Sequence, residues 1–323
     1  MANVLVIGDT AGPKLAAESF EVAAAGASVA GALGETLCGA LIGGNLSEAA
    51  EQFACGFKSL YLIEGAQYES YTADAYLSAA QAAIAACEAS VVVFPHTLAT
   101  RDWVPRLAAR LATGLVMDCI ALAAEGGELV VTKPVYGGGV LGEYVIRGRP
   151  RMLTIRSGVF EPLAPSRLGD VARLDVPAPA QTAVTLIDEA AAQATAGARL
   201  KDARIVVSGG RGLGGPQHWH FIEETAAALD AAVGCSRPVA DTGWVPSYHQ
   251  VGLSGTFVAP DLYLAVGISG AVQHLAGINA ASMVVAINTD ANAEIFTRAK
   301  YGVVGNCREV LPAFVQRVKE LHS

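Results

Sequence analysis

Apolar residues along this chain fall into short continuous runs separated by alanine-rich stretches of helical period. Val4-Leu5-Val6-Ile7 stops at Gly8-Asp9, and helical material follows in KLAAESFEVAAAGA. Leu60-Tyr61-Leu62-Ile63 is a second β-type run, residues 71–86 predict an amphipathic helix, and Val91-Val92-Val93-Phe94 is a buried strand ending at Pro95-His96. Uninterrupted Val/Ile runs with helices between them are what a parallel sheet covered on both faces requires. From Gly127 the texture changes to strand-like alternation around Gly137-Gly138-Gly139, which predicts a hairpin or antiparallel edge. Pro162, Pro165, Pro177 and Pro179 then place four of the 14 prolines within 18 residues, the mark of a stiff extended connection. One more apolar run, Val184 to Ile187, and a helix lead to Thr195-Ala196-Gly197-Ala198, where the domain boundary is placed. A second α/β series follows: strands at Arg204 to Ser208, Leu262 to Val266 and Met283 to Asn288, with helices around Phe221 to Leu229, from Ser269, and through Leu311 to Leu321. The expectation is two α/β domains, residues 1–195 and 196–323, each a mostly parallel sheet with helices on both faces.

Composition narrows the function. The 323 residues are 52% hydrophobic and 16% charged, which excludes a disordered or collagen-like chain. Acidic residues outnumber Lys and Arg 30 to 22, giving a net charge of −8 with no basic run, so nucleic acid is not an expected partner. The longest uncharged stretch, Leu262 to Thr289, has 28 residues, but Ser, Gln, His, Asn and Gly interrupt it. It reads as a buried strand–helix–strand unit and not as a membrane span. The N-terminus lacks a basic segment before its apolar run, which argues against a signal peptide. The six cysteines (Cys38, Cys55, Cys87, Cys119, Cys235, Cys307) are scattered without CxxC, as in a reduced, cytoplasmic protein.

Candidate chemistry concentrates in the second half. After the strand ARIVV, the segment SGGRGLGG places Gly210, Gly212 and Gly215 in G-x-G-x-x-G register, a turn able to bring backbone N–H groups against a pyrophosphate at a helix N-terminus. Asp230 could be its downstream acidic residue. A plain Gly-rich loop is about as good a reading of this motif alone, and Arg211 points to phosphate or flavin contact more than to a standard NAD fingerprint. A second strand-to-helix turn, AVGISGAVQH, sets Ser269 where an N-cap belongs, with Gly270 for close approach and Gln273 and His274 one turn on. At the C-terminal edge of a strand a ligand role for His274 outweighs that of a satisfied core histidine. The long irregular loop between the turns carries Ser236, Arg237, Gln250 and Ser254, and loops of such length in a compact domain are usually functional.

SGGRGL, GCSRPVADTGWVP, QVGLSGTFVAPDLYLAVGISGAVQHLAGI and VAINTDANAEIF, in that order and spacing, resemble the α subunit of electron transfer flavoprotein. VVVFPHTLATRDWVPRLAARLATGLVMDCIAL and KPVYGGG in the first domain agree more loosely. The resemblance implies a Rossmann-like, deoxyhypusine-synthase-like FAD/NAD-binding C-terminal domain carrying one FAD, and a heterodimer in which the N-terminal domain packs on a β subunit. It implies electrons arriving from dehydrogenases or reduced carriers and leaving to a quinone oxidoreductase or another acceptor, in a carrier without substrate chemistry of its own. Residue by residue, it implies that Arg211 and Ser236 contact the phosphate and ribityl region, and that Arg237 lies over the isoalloxazine as a fixed charge. Gln250, Val251, Gly252, Leu253 and Ser254 line the ring, Ser254 donating toward N5. Ser269, Gly270, Ala271, Val272, Gln273 and His274 hold the pyrophosphate and ribityl chain, with His274 near O2, while Asn288, Asn306 and Cys307 surround the adenosine. Ser254 stands where the family often has Thr, and Asn306-Cys307 where it often has Asp-Leu. Arg237, Ser254 and His274 would tune the flavin by placed charge and hydrogen bonds, because reduction puts negative charge around N1 and O2.

Other features take structural readings. His218-Trp219-His220 lacks a third ligand and fits a solvent-edge helix start better than a metal site. Arg101, Asp102, Arg106 and Arg110 read as a helix surface or an edge of the subunit interface. Cys235 has no resolving partner nearby and reads as a small loop residue. Two rival functions remain: an NAD-dependent oxidoreductase, supported by G-x-G-x-x-G alone, and a nucleotide-binding regulatory module, which the first domain would allow.

Overall fold

The computed structural model describes residues 2–138, 140–167, 169–177, 179, 184, 186–187, 200, 203–279 and 281–322. The chain forms two compact units, Met1–Ala190 and Ala191–Ser323. The boundary expected near Thr195–Ala198, and the helix expected before it, lie outside the described residues. Of the run at 184–187, the described residues Val184, Leu186 and Ile187 are exposed and belong to no strand, contrary to expectation.

The first unit opens with β1 (Asn3–Ile7), a two-residue hairpin of β2 (Thr10–Ala11) and β3 (Lys14–Leu15), and α1 (Glu18–Leu33). It continues through β4 (Thr36–Gly43), α2 (Ser47–Gln52), β5 (Ser59–Glu64), α3 (Ala73–Cys87), β6 (Ala89–Pro95), α4 (Leu98–Arg110) and β7 (Leu115–Cys119). The antiparallel strands β8 (Ala121–Glu125), β9 (Glu128–Val135) and β10 (Val140–Val145) follow, then β11 (Arg151–Ile155) and β12 (Asp170–Arg173). Seven parallel strands make one sheet in the order β12-β5-β4-β1-β6-β11-β7. Strand β1 shows why its run is uninterrupted: Val4 and Val6 pack toward α1, while Leu5 and Ile7 pack toward α3 and α4. Successive side chains therefore enter opposite cores, and both faces demand apolar residues.

Strands β4 and β12 are among those that escaped the sequence pattern. β4 reads TLCGALIG, whose small residues give no recognisable alternation, yet Cys38, Ala40, Leu41 and Ile42 are buried. β12 lies inside the proline-rich connection and pairs with β5, so part of that connection is an edge strand. The expected hairpin around Gly137–Gly139 is present as β9–β10, Gly139 itself lying outside the described residues. The charged positions on α4 tie it to α3. Arg106 reaches Asp74 at 2.5 Å, and Tyr71, just before α3, donates to Asp102 at 2.7 Å.

The second unit contains β13 (Ile205–Gly209), α5 (His220–Leu229), β14 (Ala232–Cys235), α6 (Arg237–Asp241), β15 (Leu262–Val266), α7 (Val272–Gly277), β16 (Met283–Asn288), α8 (Ile295–Arg298), β17 (Tyr301–Val304) and α9 (Cys307–His322). Its sheet is wholly parallel in the order β14-β13-β15-β16-β17. Alternation again feeds two cores. Val206, Tyr263, Ala265, Val284 and Ala286 face one, with Ile278 and Ile295. Val207, Leu264, Val266 and Ile287 face the other, with Ile222 of α5 and Leu311 of α9. The chain runs outward from β13 to β14, then returns to the far side of β13 as β15. That reversal opens a crevice at the carboxyl ends of β13 and β15, where open α/β sheets bind ligands.

Candidate functional site

A cavity of about 660 Å³ occupies that crevice. Ligand sites commonly measure about 300–1,000 Å³. Its walls come from the ends of four strands. The turn after β13 contributes Arg211 and Gly212, the end of β14 contributes Ser236, Arg237 and Pro238, and the turn after β15 contributes Gly267, Ile268 and Ser269. The loop after β16 adds Asn288, Asp290, Asn292, Ala293 and Glu294, while Gln250 to Ser254, Ala271, Gln273 and His274 complete the enclosure.

The two glycine turns are interlocked. Gly210 N–H donates to Val266 O at 2.8 Å and Gly212 N–H to Gly267 O at 3.0 Å. Gly267 has φ +62°, and a Cβ on Gly210 would lie 2.2 Å from the Gly267 carbonyl oxygen. Only residues without side chains allow this approach. The amides of Gly210 and Gly212 are thus spent on the neighbouring turn. Two short 3₁₀ turns, Arg211–Leu213 and Pro216–His218, separate them from α5, so the motif does not open directly into a helix. Asp230 is the left-handed C-cap of α5 and does not line the cavity. These departures remove the support for the NAD fingerprint.

Ser269 also departs from expectation. The residue preceding α7 is Ala271, and no side chain caps the helix, which has six residues. Gly270, at φ +88°, turns the backbone against Ile295, and Ser269 O accepts from Ile295 N at 3.0 Å. The helix therefore starts two residues later than a capping serine at 269 requires. Ser269, Ala271, Gln273 and His274 still reach the cavity; Gly270 and Val272 do not line it.

Polar side chains are held in place from several sides. Val251 N–H donates to Cys235 O at 2.9 Å, docking the long loop on the end of β14. The buried Gln250 amide donates to Ser254 Oγ at 2.8 Å. Asn288 Nδ2 donates to Ile268 O at 2.9 Å, and its Oδ1 accepts from Asp290 N at 3.0 Å, joining the turns after β15 and β16. Arg237 begins α6 and pairs with Asp241 at 3.2 Å, 66% of its side chain being exposed. His274 is 6% exposed; its Nε2 lies 2.9 Å from the Tyr263 hydroxyl, and its Nδ1 is buried without a hydrogen-bond partner. Burial pushes its pKa down to about 4, the Val251 backbone offsetting part of the fall, so the ring is neutral at pH 7.

Of the expected site residues, Arg211, Ser236, Arg237, Gln250 through Ser254, Ser269, Ala271, Gln273, His274 and Asn288 meet around one cavity. Asn306 and Cys307 do not line it: Asn306 turns onto Arg308 and Glu309, and Cys307 is buried in the core beside α5. Gly212 of the glycine motif also lines the cavity, while sequence reasoning missed Pro238, Gly267, Ile268, Asp290, Asn292, Ala293 and Glu294. The signal for the last four was available, since they follow a strand at the same sheet edge. Cys235 is buried and its thiol is pushed up to about 12, in keeping with a packing role. His218 and His220 stack against Phe221 at the start of α5, and no metal-ligand cluster occurs among the described residues.

The fold and cavity define a doubly wound α/β protein with a ligand-sized cavity at a sheet switch point. Residues 4–192 match the electron transfer flavoprotein domain, and residues 199–279 match the electron transfer flavoprotein FAD-binding domain. The chain is 37% identical to electron transfer flavoprotein subunit alpha of Bacillus subtilis, over 99% of this chain and 98% of the relative. It is 35% identical, at the same coverage, to the protein of that name from Thermoanaerobacterium thermosaccharolyticum. It is 34% identical to Protein FixB of Rhizobium meliloti, over 92% and 87%. The chain belongs to the electron transfer flavoprotein α-subunit family, and FAD is the cofactor of its second domain. The cavity fits that group: two arginines, Arg211 and Arg237, line it, glycine walls admit close approach, and a buried His274 nitrogen lacks a partner. No helix among the described residues is long and apolar enough to cross a membrane.

Proposed function

We propose that this chain is the FAD-carrying subunit of a heterodimeric electron carrier, relaying electrons from dehydrogenases or reduced carriers to a quinone oxidoreductase or a comparable acceptor. Bound FAD supplies the electron-accepting and electron-donating chemistry. The observation that carries the reading is the cavity at the β13–β15 switch point, where cationic, hydroxyl and neutral imidazole groups converge. Arg211 and Ser236 bind the phosphate and ribityl portion. Arg237 supplies positive charge near the ring. Ser254, held by Gln250, presents its hydroxyl toward N5, and the buried His274 faces the O2 side. Gly270 and Val272 act through the backbone path that places Ser269 and Gln273, and Asn288 takes the adenosine end. The N-terminal domain, residues 1–195, is the platform for a β subunit, and residues 196–323 hold the FAD. All six cysteines are free and buried, which suits a reducing cytoplasm.

Co-expression with its β partner tests this reading. The expected product is a heterodimer with flavin absorption that a dehydrogenase-type donor reduces and a quinone-linked acceptor reoxidises. The isolated chain should lose FAD readily on gel filtration. A heterodimer that binds NAD or AMP in this cavity and no flavin would refute the proposal.

A further inference from the structure

Beneath the cavity lies a contact that the ligand-binding reading does not use. Tyr263, the second residue of β15, is fully buried, and its hydroxyl is 2.9 Å from His274 Nε2. A phenol is a stronger acid than a neutral imidazole N–H, and an imidazole nitrogen is a stronger base than a phenol oxygen. The favoured direction is therefore O–H to N, and the bond made by one ring nitrogen decides which tautomer the other adopts. We propose that Tyr263 is a positioning residue: its hydroxyl donates to His274 Nε2, pins the ring to the sheet, and places the single ring proton on Nδ1.

The surroundings of Nδ1 agree with this assignment. Nδ1 has no partner of hydrogen-bond geometry, although His274 and Val251 both line the cavity. An orphaned buried donor is costly, and an acceptor brought by the ligand relieves that cost. The ligand atom best suited to this wall is a carbonyl oxygen or unprotonated nitrogen of a heteroaromatic ring, a feature that flavins carry. Tyr263 thus acts on the cofactor through His274 without touching it. This inference rests on the FAD reading for its functional consequence, but not for the tautomer.

The test has two arms. Long-range ¹H–¹⁵N spectra of the flavin-free full chain, with the His274 ring signals identified by their loss in His274→Ala, should show a protonated Nδ1 and a bare Nε2. The reverse pattern overturns the proposal whatever the ligand, and needs no Tyr263 variant. In the heterodimer, Tyr263→Phe keeps the ring and volume but removes the hydroxyl. It should weaken FAD binding roughly fivefold, as expected for one hydrogen bond, and shift the first-electron potential in the direction that His274→Ala shifts it. Unchanged affinity and potential in Tyr263→Phe also overturn it. A native Nδ1–H tautomer in a protein that takes no flavin would instead retire the functional reading and leave the positioning role intact.

Discussion

Removing the charge of Arg237 should lower the first-electron potential of the bound FAD, and the surroundings of this side chain set by how much. Two unit charges about 4 Å apart interact by roughly 4 kcal/mol at an effective dielectric of 20, and by roughly 1 kcal/mol in water. Arg237 is 66% exposed and its Nε lies 3.2 Å from Asp241, itself 60% exposed. Both features push toward the lower figure, because solvent screens the charge and the carboxylate cancels part of it. About 1 kcal/mol corresponds to about 40 mV for one electron. Arg237→Ala should therefore bind FAD and show a drop of this order in a spectroelectrochemical titration of the heterodimer, shrinking as salt rises. Arg237→Lys should fall between, keeping the charge but losing the planar face. Asp241→Asn should move the potential the opposite way, since it removes the competing anion. A drop several times larger and insensitive to salt would mean that the β subunit buries the pair. No change in either Arg237→Ala or Asp241→Asn at low salt would show that Arg237 is a structural or interface residue.

Other perturbations bear on separate parts of the molecule. Ser254→Ala should retain FAD but shift its potential by about 1 kcal/mol, because it removes the hydroxyl and strands the Gln250 amide. Ser254→Thr should stay close to wild type, and an unchanged Ala variant would sink the N5 assignment. Gly210→Ala forces a Cβ to within 2.2 Å of the Gly267 carbonyl, so thermal unfolding should show a loss of about 1–3 kcal/mol together with poorer FAD retention. Burial lowers the pKa of both His96 and His274 from 6.5 to about 4, so the unfolded chain binds protons first as pH falls. Stability from this source is complete above pH 6.5 and drains toward pH 4 at up to about 1.4 kcal/mol per pH unit per histidine. Urea unfolding of His96→Gln across that range should show a shallower slope than wild type; a slope as steep would argue that His96 titrates normally.

Local pattern alone made much of the architecture legible. The runs Val4–Ile7, Val91–Phe94, Leu262–Val266 and Met283–Asn288 are strands because residues buried on both faces must be apolar at every position. The β9–β10 hairpin followed from alternation around glycines, and much of the cavity followed from two strand-end turns and the motifs around them. Strands without such a signature stayed hidden. β17 is an edge strand exposed along its length, and β14 has four small or half-buried residues, so neither needs a recognisable run. What only the tertiary structure decided concerns groups far apart in the chain that strand order makes neighbours. Pairing β13 with β15 spends the amides of Gly210 and Gly212 on the adjoining turn, and the swing of Gly270 onto Ile295 deprives Ser269 of its helix. The same sheet brings Asp290 and Glu294 to the cavity edge and sets Tyr263 under His274. Periodicity reports which face of an element is buried, but parallel strands are joined by crossovers of a dozen or more residues. Which residues then meet across the sheet edge depends on packing, and no stretch of local sequence records it.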